Sequence, residues 1–432
     1  MEGKVKINDK KTIRAWAMFD WANSAYFLVI STAVFPPFFT NTSPEYINVL
    51  GYPIESASLY SFAVSFSYLF AAILSPILSG IADYSGKRLV FLKFFTAVGS
   101  IFCGLLFFFN GEGGALFAIS AFAFATVAVT ASQVFYNAFL PVIATEDRFD
   151  KVSAKGYAYG YIGSVLLLVF ILMMIQFPHW FGITDPLLGP RIGFLLVGLW
   201  WFGFAQITFS NMPKDNKSKF KSEYISQGIS EVTAVFKKVL KNINLRRFLL
   251  SFFFFTAGVN TVVYLASIFA SDVLGFQTSE LILVILILQL VAILGAYLFA
   301  YVSDRVGNKY ALLIQIFIWM VICIAAYFTT GKMFFYVLSG LVGLVLGGIQ
   351  SLARSTYSKM VEQHKELLNS YFSFFDILYK VSVVLGTFIF GVVNQLTGNM
   401  RYSVLSIGIL FIIGFFFMTM VKINPAEPEV AN

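Results

Sequence analysis

Asp83-Tyr84-Ser85-Gly86-Lys87-Arg88 recurs, 221 residues further along the chain, as Asp304-Arg305-Val306-Gly307-Asn308-Lys309. Both stretches read D-x-x-G-x-[KR]. Glycine permits a sharp reversal, the aspartate can accept from the unpaired amides that open the next helix, and the basic residues hold the turn on one side of a membrane. The separation is about half of the 432 residues. The chain is therefore expected to consist of two related halves, each carrying this turn at the same helix position.

Working outward from the turns, apolar runs near 16–39, 57–82, 89–109, 115–140, 156–177 and 192–211 form a first set of six. A second six fall near 247–271, 280–302, 310–328, 334–357, 370–395 and 402–421. Each is close to the ~20 residues a helix needs to cross a bilayer core. The expected fold is thus all-α and polytopic, with twelve transmembrane helices in two pseudo-symmetric six-helix halves. The halves are 1–211 and 247–421, joined by a polar linker, 212–246, and followed by a tail, 422–432. The composition agrees: 58% of residues are apolar and only 12% charged, against ~25% charged in soluble domains. An ordinary globular enzyme is excluded. The first run follows several basic residues but is broken by Asp20 and Asn23 and lacks a small-residue cleavage site, so it reads as a retained helix.

The charges give orientation. With both termini inside, cytoplasmic segments hold 24 lysines and arginines, and the outer loops only Arg191, Lys332 and Arg401. Basic residues near span ends stay on the cytoplasmic side, so both termini are expected there, in a bacterial plasma (inner) membrane. The same bias accounts for the net charge of +8 without nucleic-acid binding. In the linker, Ile225, Ile229, Val232, Phe236, Val239, Leu240 and Ile243 recur at helical spacing among Lys219, Lys221, Lys237, Lys238, Lys241, Arg246 and Arg247. That pattern predicts a basic amphipathic helix on the anionic inner leaflet, with a partner-binding helix as the alternative.

Cys103 and Cys323 lie deep in apolar runs, and the two histidines, His179 and His364, fall in loops. No disulfide, metal site or other cofactor is expected. No G-x-x-x-x-G-K-[ST] phosphate loop occurs, which excludes ATP-driven transport by this chain alone. H-E-x-x-H and G-x-S-x-G are likewise absent, which argues against a membrane-embedded enzyme.

The paired turns resemble the hallmark loop of the major facilitator superfamily, whose members have twelve helices in two halves around a central path. The chain departs from that pattern in having Ser79 and Ala300 where the superfamily usually has glycine, with Gly80 one position later. The fifth-span stretch Gly156-Tyr-Ala-Tyr-Gly160-Tyr-Ile-Gly163 lacks the glycine-proline motif of drug–proton antiporters, which reads against drug export. A narrower resemblance lies in Trp16-Ala-Met-Phe-Asp20-Trp21-Ala22-Asn23-Ser24-Ala25, followed by Phe35-Pro36-Pro37-Phe38-Phe39. It is similar to the vacuole-effluxer-like branch, which comprises yeast autophagy-associated vacuolar amino-acid exporters and bacterial relatives. Tyr136-Asn137-Ala138-Phe139-Leu140-Pro141, Gly347-Gly348-Ile349-Gln350-Ser351-Leu352-Ala353-Arg354-Ser355 and Phe374-Phe375-Asp376 with Lys380 support it. The resemblance implies a small, amino-acid-like solute moved outward.

An ionised side chain near the bilayer centre costs ~2.5–3.5 kcal/mol on insertion scales, so charges inside spans need a reason. Asp20, Arg354, Asp376 and Lys380 are four such residues and sum to zero. Asp376 and Lys380, at i and i+4, read either as substrate contacts or as a structural ion pair. Asp20 has no base within one turn on its C-terminal side. Either it meets Arg354 or Lys380 across the bundle, or desolvation keeps it protonated and able to carry a proton. Asn23 and Ser24 add hydrogen-bonding groups beside it or pack between helices. Arg354, with Gln350 one turn earlier, suits an anionic or zwitterionic group, or else snorkels to water. Tyr136 and Asn137 line the cavity or a gate. Lys93 reads as a snorkelling residue, and the glycines of spans five and ten as sites of close helix packing.

The function expected is secondary active transport of a small solute by two halves rocking about a midplane site. A proton or substrate gradient would drive it, in a monomer. Asp83, Gly86, Lys87 and Arg88, with Asp304, Arg305, Gly307 and Lys309, would act as cytoplasmic latches. A lipid flippase or a membrane-embedded lipid-modifying enzyme is the alternative.

Overall fold

The computed structural model describes residues 7–111, 113–215, 223–276 and 278–422. The expectations for Lys4, Lys6, Lys219, Lys221 and tail residues 423–432 lie outside the described residues, as do those for the side chains of Ile225, Ile229 and Val232.

Among the described residues, ten continuous helical stretches are long and apolar enough to cross a membrane, and a helical segment lies on each of the twelve apolar runs. The first runs Lys10–Ala25 and continues through Tyr26–Ala33 to Phe35–Thr42; Ser56–Ser85, Arg88–Leu105, Ala115–Asn137, Phe149–Gln176 and Leu188–Asn211 complete the first six. The second six are Ile243–Leu274, Thr278–Val306, Asn308–Phe328, Lys332–Val361, Leu368–Thr397 and Met400–Thr419. The helical core of each matches an apolar run, but several extend further at the linker side. The fifth span begins at Phe149 rather than near 156, and the tenth ends at Val361 rather than near 357. Polar residues there continue the helix because their side chains bond within the protein. A separate helix, Glu223–Lys241, occupies the linker. A short hairpin pairing Tyr46–Val49 with Tyr52–Glu55 joins spans one and two, an element that the apolar pattern does not signal.

The chain forms two compact units. One comprises residues 9–137 and 159–228, and the other residues 1–8, 138–158 and 229–432. Residues 138–158, counted with the first half by sequence, thus belong to the second unit, and the fifth span is shared between the two. In the first unit the first span packs on the sixth, and the fourth on the second and third. In the second unit the eighth span packs on the tenth, and the seventh and ninth on the twelfth. The eighth–tenth contact is backbone against backbone. A Cβ added at Gly343 or Gly347 would overlap the carbonyl of Leu288 or Ala292, and one at Gly295 that of Leu344. Small residues at these positions are what allow the approach.

Large apolar side chains such as Phe66, Ile73, Phe317 and Phe388 remain more than half exposed on the outer faces. Lipid, which is as apolar as these side chains, is the solvent that such a surface suits. The protein is an integral, multi-pass membrane protein.

Candidate functional site

The Asp20–Ala25 string is divided residue by residue among neighbouring spans. Asp20 is buried, and its Oδ2 accepts from the hydroxyl of Tyr136, at the end of the fourth span, at 2.7 Å. Trp16, one turn earlier on the same helix face, donates from Nε1 to the Tyr136 carbonyl at 3.1 Å and stacks on its ring, as Phe19 does. Positions 16, 19, 20 and 23 share a face by the i, i+3, i+4, i+7 rule, so Asn23 continues it. Asn23 is fully buried, and neither its Oδ1 nor its Nδ2 has a hydrogen-bond partner among the described residues. Leaving a buried donor or acceptor unmade costs ~1–3 kcal/mol, so an amide held this way needs a use.

On the opposite face, Trp21 stacks on Trp200, which donates to the Trp21 carbonyl at 3.2 Å. The fifth span closes against the string backbone to backbone. A Cβ at Gly160 would strike Ser24 Oγ, and one at Gly163 the Trp21 carbonyl. Ala22 and Ala25 are fully buried. Directly after the string the helix widens into a π-helical stretch, Tyr26–Ala33, in which the Val34 amide bonds back to the Val29 carbonyl. Such wide turns recur at functional sites. Tyr26 there holds the fourth span through Thr126 Oγ1, at 2.6 Å.

In the second unit Arg354 is 2% exposed, which excludes the snorkelling reading. It donates from Nε to Ser153 Oγ at 2.9 Å and from a terminal nitrogen to the Ser153 carbonyl at 2.8 Å, and its guanidinium lies over the Tyr157 ring at 4.2 Å. Gln350 is half-buried one turn earlier. Lys380, also 2% exposed, is ion-paired with Asp376 within the eleventh span. Beside them Tyr379 donates to Asn260 Oδ1 at 2.9 Å, and Asn260 Nδ2 donates to the Thr256 carbonyl. Asn260 and Tyr379 are missed by a search for charges, since neither carries one; a lone buried amide in an apolar run was the available signal. Asn137 and Ser24 are half-buried in the first unit.

The two D-x-x-G turns differ in their surroundings. Gly86 and Gly307 both adopt positive φ, 65° and 81°, which is why glycine is required at each. The Leu89 and Val90 amides, which open the third span, find their acceptor outside the turn. Asp215, just past the sixth span, caps the third span instead, accepting from the Leu89 and Val90 amides at 2.8 and 2.7 Å. Asp83 points at Arg88, 4.0 Å away, with its side chain fully buried. The reason is geometric. The left-handed glycine turns the chain so that the amides opening the third span face the linker. Burial pushes the Asp215 carboxyl above its ordinary range, against the pull of those two amides, Arg88 and Lys93. Asp215→Ala should lower stability by about 1 kcal/mol, as loss of a helix cap does, and Asp215→Asn by less. Thermal unfolding in detergent measures both.

At the second turn the buried acid is Asp150, at the start of the fifth span. Its Oδ1 accepts from Asn308 Nδ2 at 2.7 Å, and its Oδ2 from Ser303 Oγ and Lys359 Nζ, both at 2.9 Å. Lys359 also donates to Asn308 Oδ1 at 2.7 Å, and Asn308 to Thr356. Asp304 itself is partly exposed and paired with Lys151 at 2.8 Å. Lys309 donates to the Thr419 carbonyl, and Arg305 lies over the Tyr301 ring. Near the turn, charge alone flags Asp304; burial shows that Asp150 holds more bonds. Among the described residues no group of three metal-binding side chains occurs.

The family model described as "Vacuole effluxer Atg22 like" matches residues 8–431. The chain belongs to the Atg22-like vacuole effluxer family. Among relatives of this Atg22-like chain, an MFS-type transporter of Bacillus subtilis strain 168, YxiO, is 30% identical over 415 residues, 95% of each chain. Autophagy-related protein 22 of Kluyveromyces lactis is 26% identical over 395 residues, covering 81% of this chain and 76% of that one. In fold the Atg22-like chain is similar to the human organic anion transporter MFSD10, with TM-score 0.72, 11% identity and coverage of 96% and 100%. It is also similar to the E. coli fucose:proton symporter FucP, with TM-score 0.68, 15% identity and coverage of 96% and 98%. These likenesses make it a transporter of the major facilitator superfamily rather than an enzyme.

Proposed function

We propose that the protein is a secondary active transporter that moves a small, amino-acid-like zwitterion by alternating access, coupled to protons through Asp20. The observation that carries this reading is the buried Asp20 carboxyl on the Tyr136 hydroxyl, beside the unbonded Asn23 amide. A carboxyl positioned on a hydroxyl donor inside the first unit is a group able to pass a proton through the cycle. Arg354, held on Ser153 and Tyr157, supplies a buried positive charge that suits a carboxylate, with Gln350 one turn away. The Asp376–Lys380 pair and the Asn260–Tyr379 bond supply further polar groups in the second unit. Export fits the effluxer name of the family.

The positive-inside bias supports both termini in the cytoplasm of a bacterial inner membrane. The protein would work as a monomer, with the bilayer and protons as its other partners. Uptake of a panel of radiolabelled amino acids into proteoliposomes, with and without a pH gradient, tests the reading. Gradient-dependent exchange of at least one amino acid is expected. If none exchanged while lipid scrambling did occur, the transporter reading would give way to a flippase.

The turns act as latches in this scheme, though unequally. Asp83→Ala leaves Arg88 beside a buried gap, whereas Asp304→Ala removes a pair whose lysine is 66% exposed. Exposed pairs contribute ~0–1 kcal/mol. Asp83→Ala should therefore slow turnover more than Asp304→Ala in the same exchange assay. Equal effects would mean that side-chain burial does not set the latch.

A further inference from the structure

The linker helix Glu223–Lys241 meets the seventh span through a single residue, Asn242. The Oδ1 of Asn242 caps that span, accepting from the Asn244 and Leu245 amides at 3.1 Å. The helix is therefore held at the start of the seventh span. Among the described side chains, its apolar face is buried along one edge and exposed along the other. Val235 and Val239 are buried against the protein, whereas Phe236, Leu240 and Ile243 are 44%, 46% and 53% exposed. At ~100° per residue Phe236 and Leu240 form the exposed edge beside the buried one, and Ile243 follows just past the break at Asn242. Lys237, Lys238 and Lys241 are exposed on the remaining arc, and none is ion-paired with a described residue. Phe236 meets the Phe374 ring at 5.4 Å, which fixes the rotation of the helix about its axis.

We infer that this helix is a binding surface for anionic phospholipid in the leaflet on the linker's side of the membrane. Two observations select that occupant over a cytosolic protein. The exposed apolar edge leads by way of Ile243 toward the seventh span, whose apolar run belongs to the membrane. The unpaired lysines beside it match a negatively charged headgroup layer. Leu240 enters the acyl boundary while Phe236 stays on Phe374 and the lysines stay among the phosphates.

The test uses the full chain and needs no transport substrate, so its failure is distinct from failure of the transporter reading. Cys103 and Cys323 are buried, so a Leu240→Cys variant can be labelled with an environment-sensitive NBD probe. It is then placed in vesicles of phosphatidylcholine with or without phosphatidylglycerol. Phosphatidylglycerol should blue-shift and brighten the probe and expose it to a quencher on shallow acyl positions. About 1 M salt, with a Debye length of about 3 Å, should reverse much of this. The Lys237→Gln/Lys238→Gln/Lys241→Gln triple variant should lose the lipid dependence, while the triple arginine variant keeps it. Any of three outcomes overturns the inference: a probe equally shielded in neutral vesicles, one open to aqueous iodide in both, or shielding that rises with protein concentration and marks a second copy.

Discussion

Asp150→Ala should destabilise the protein by about 3–5 kcal/mol, the cost of removing one partner from a buried charged pair. Asp150 is 4% exposed, and its two oxygens accept from Asn308, Ser303 and Lys359. The side chain of Lys359 is only 14% exposed, so the variant strands an ammonium with Asn308 Oδ1 as its remaining acceptor. Asp150→Asn is expected to be nearly as damaging, because its new NH2 group faces the donors of Lys359 or Asn308. Asp150→Leu with Lys359→Met should recover part of the loss, since replacing both members of a buried pair by apolar groups is often close to neutral. Thermal unfolding in detergent distinguishes these. An Asp150→Ala protein that unfolds at the parental temperature would show that the cluster is solvated.

The second large effect is expected at Asp20. Asp20→Asn should cut gradient-driven accumulation on the order of tenfold or more, because an amide cannot take up and release the proton that a desolvated carboxyl carries. Substrate exchange without a gradient should survive. The amide oxygen can still accept from Tyr136 at the position now 2.7 Å from its hydroxyl, so the clamp between the first and fourth spans is kept. Tyr136→Phe provides the complementary arm: it keeps the ring stacked on Trp16 and Phe19 but removes the hydroxyl bonded to Asp20. Its accumulation should fall less than that of Asp20→Asn, because the carboxyl itself remains. Unchanged accumulation in Asp20→Asn at every pH would remove Asp20 from the coupling role.

Much of the fold is written in local patterns. Apolar runs of membrane length, the side on which lysine and arginine collect, and the repeated D-x-x-G turn are properties of contiguous residues. They can be read without knowing what touches what. The need for glycine at positions 86 and 307 is of this kind, because the turn itself demands positive φ. So is the Asp376–Lys380 pair, which a helix brings together at i and i+4. The D-W-A-N-S-A string marks the first span as special, but nothing within it says that its residues are shared among the fourth, fifth and sixth spans.

The bonds that build the site are of another kind. Tyr136 reaches Asp20 across 116 positions of chain, Asp215 reaches Leu89 across 126, and Lys359 reaches Asp150 across 209. No periodicity links such pairs, and in the sequence Asp150, Asp215 and Lys359 look like ordinary charges near span ends. The linker helix shows the same limit on a smaller scale. Its spacing marks Phe236, Val239, Leu240 and Ile243 as one apolar set, and only packing separates Val239, turned into the protein, from the three left partly exposed. Topology follows from hydropathy and charge, which act residue by residue against the bilayer. Burial of a particular polar group depends on which helices meet, and that is settled by side-chain shape across distant segments once the helices have packed.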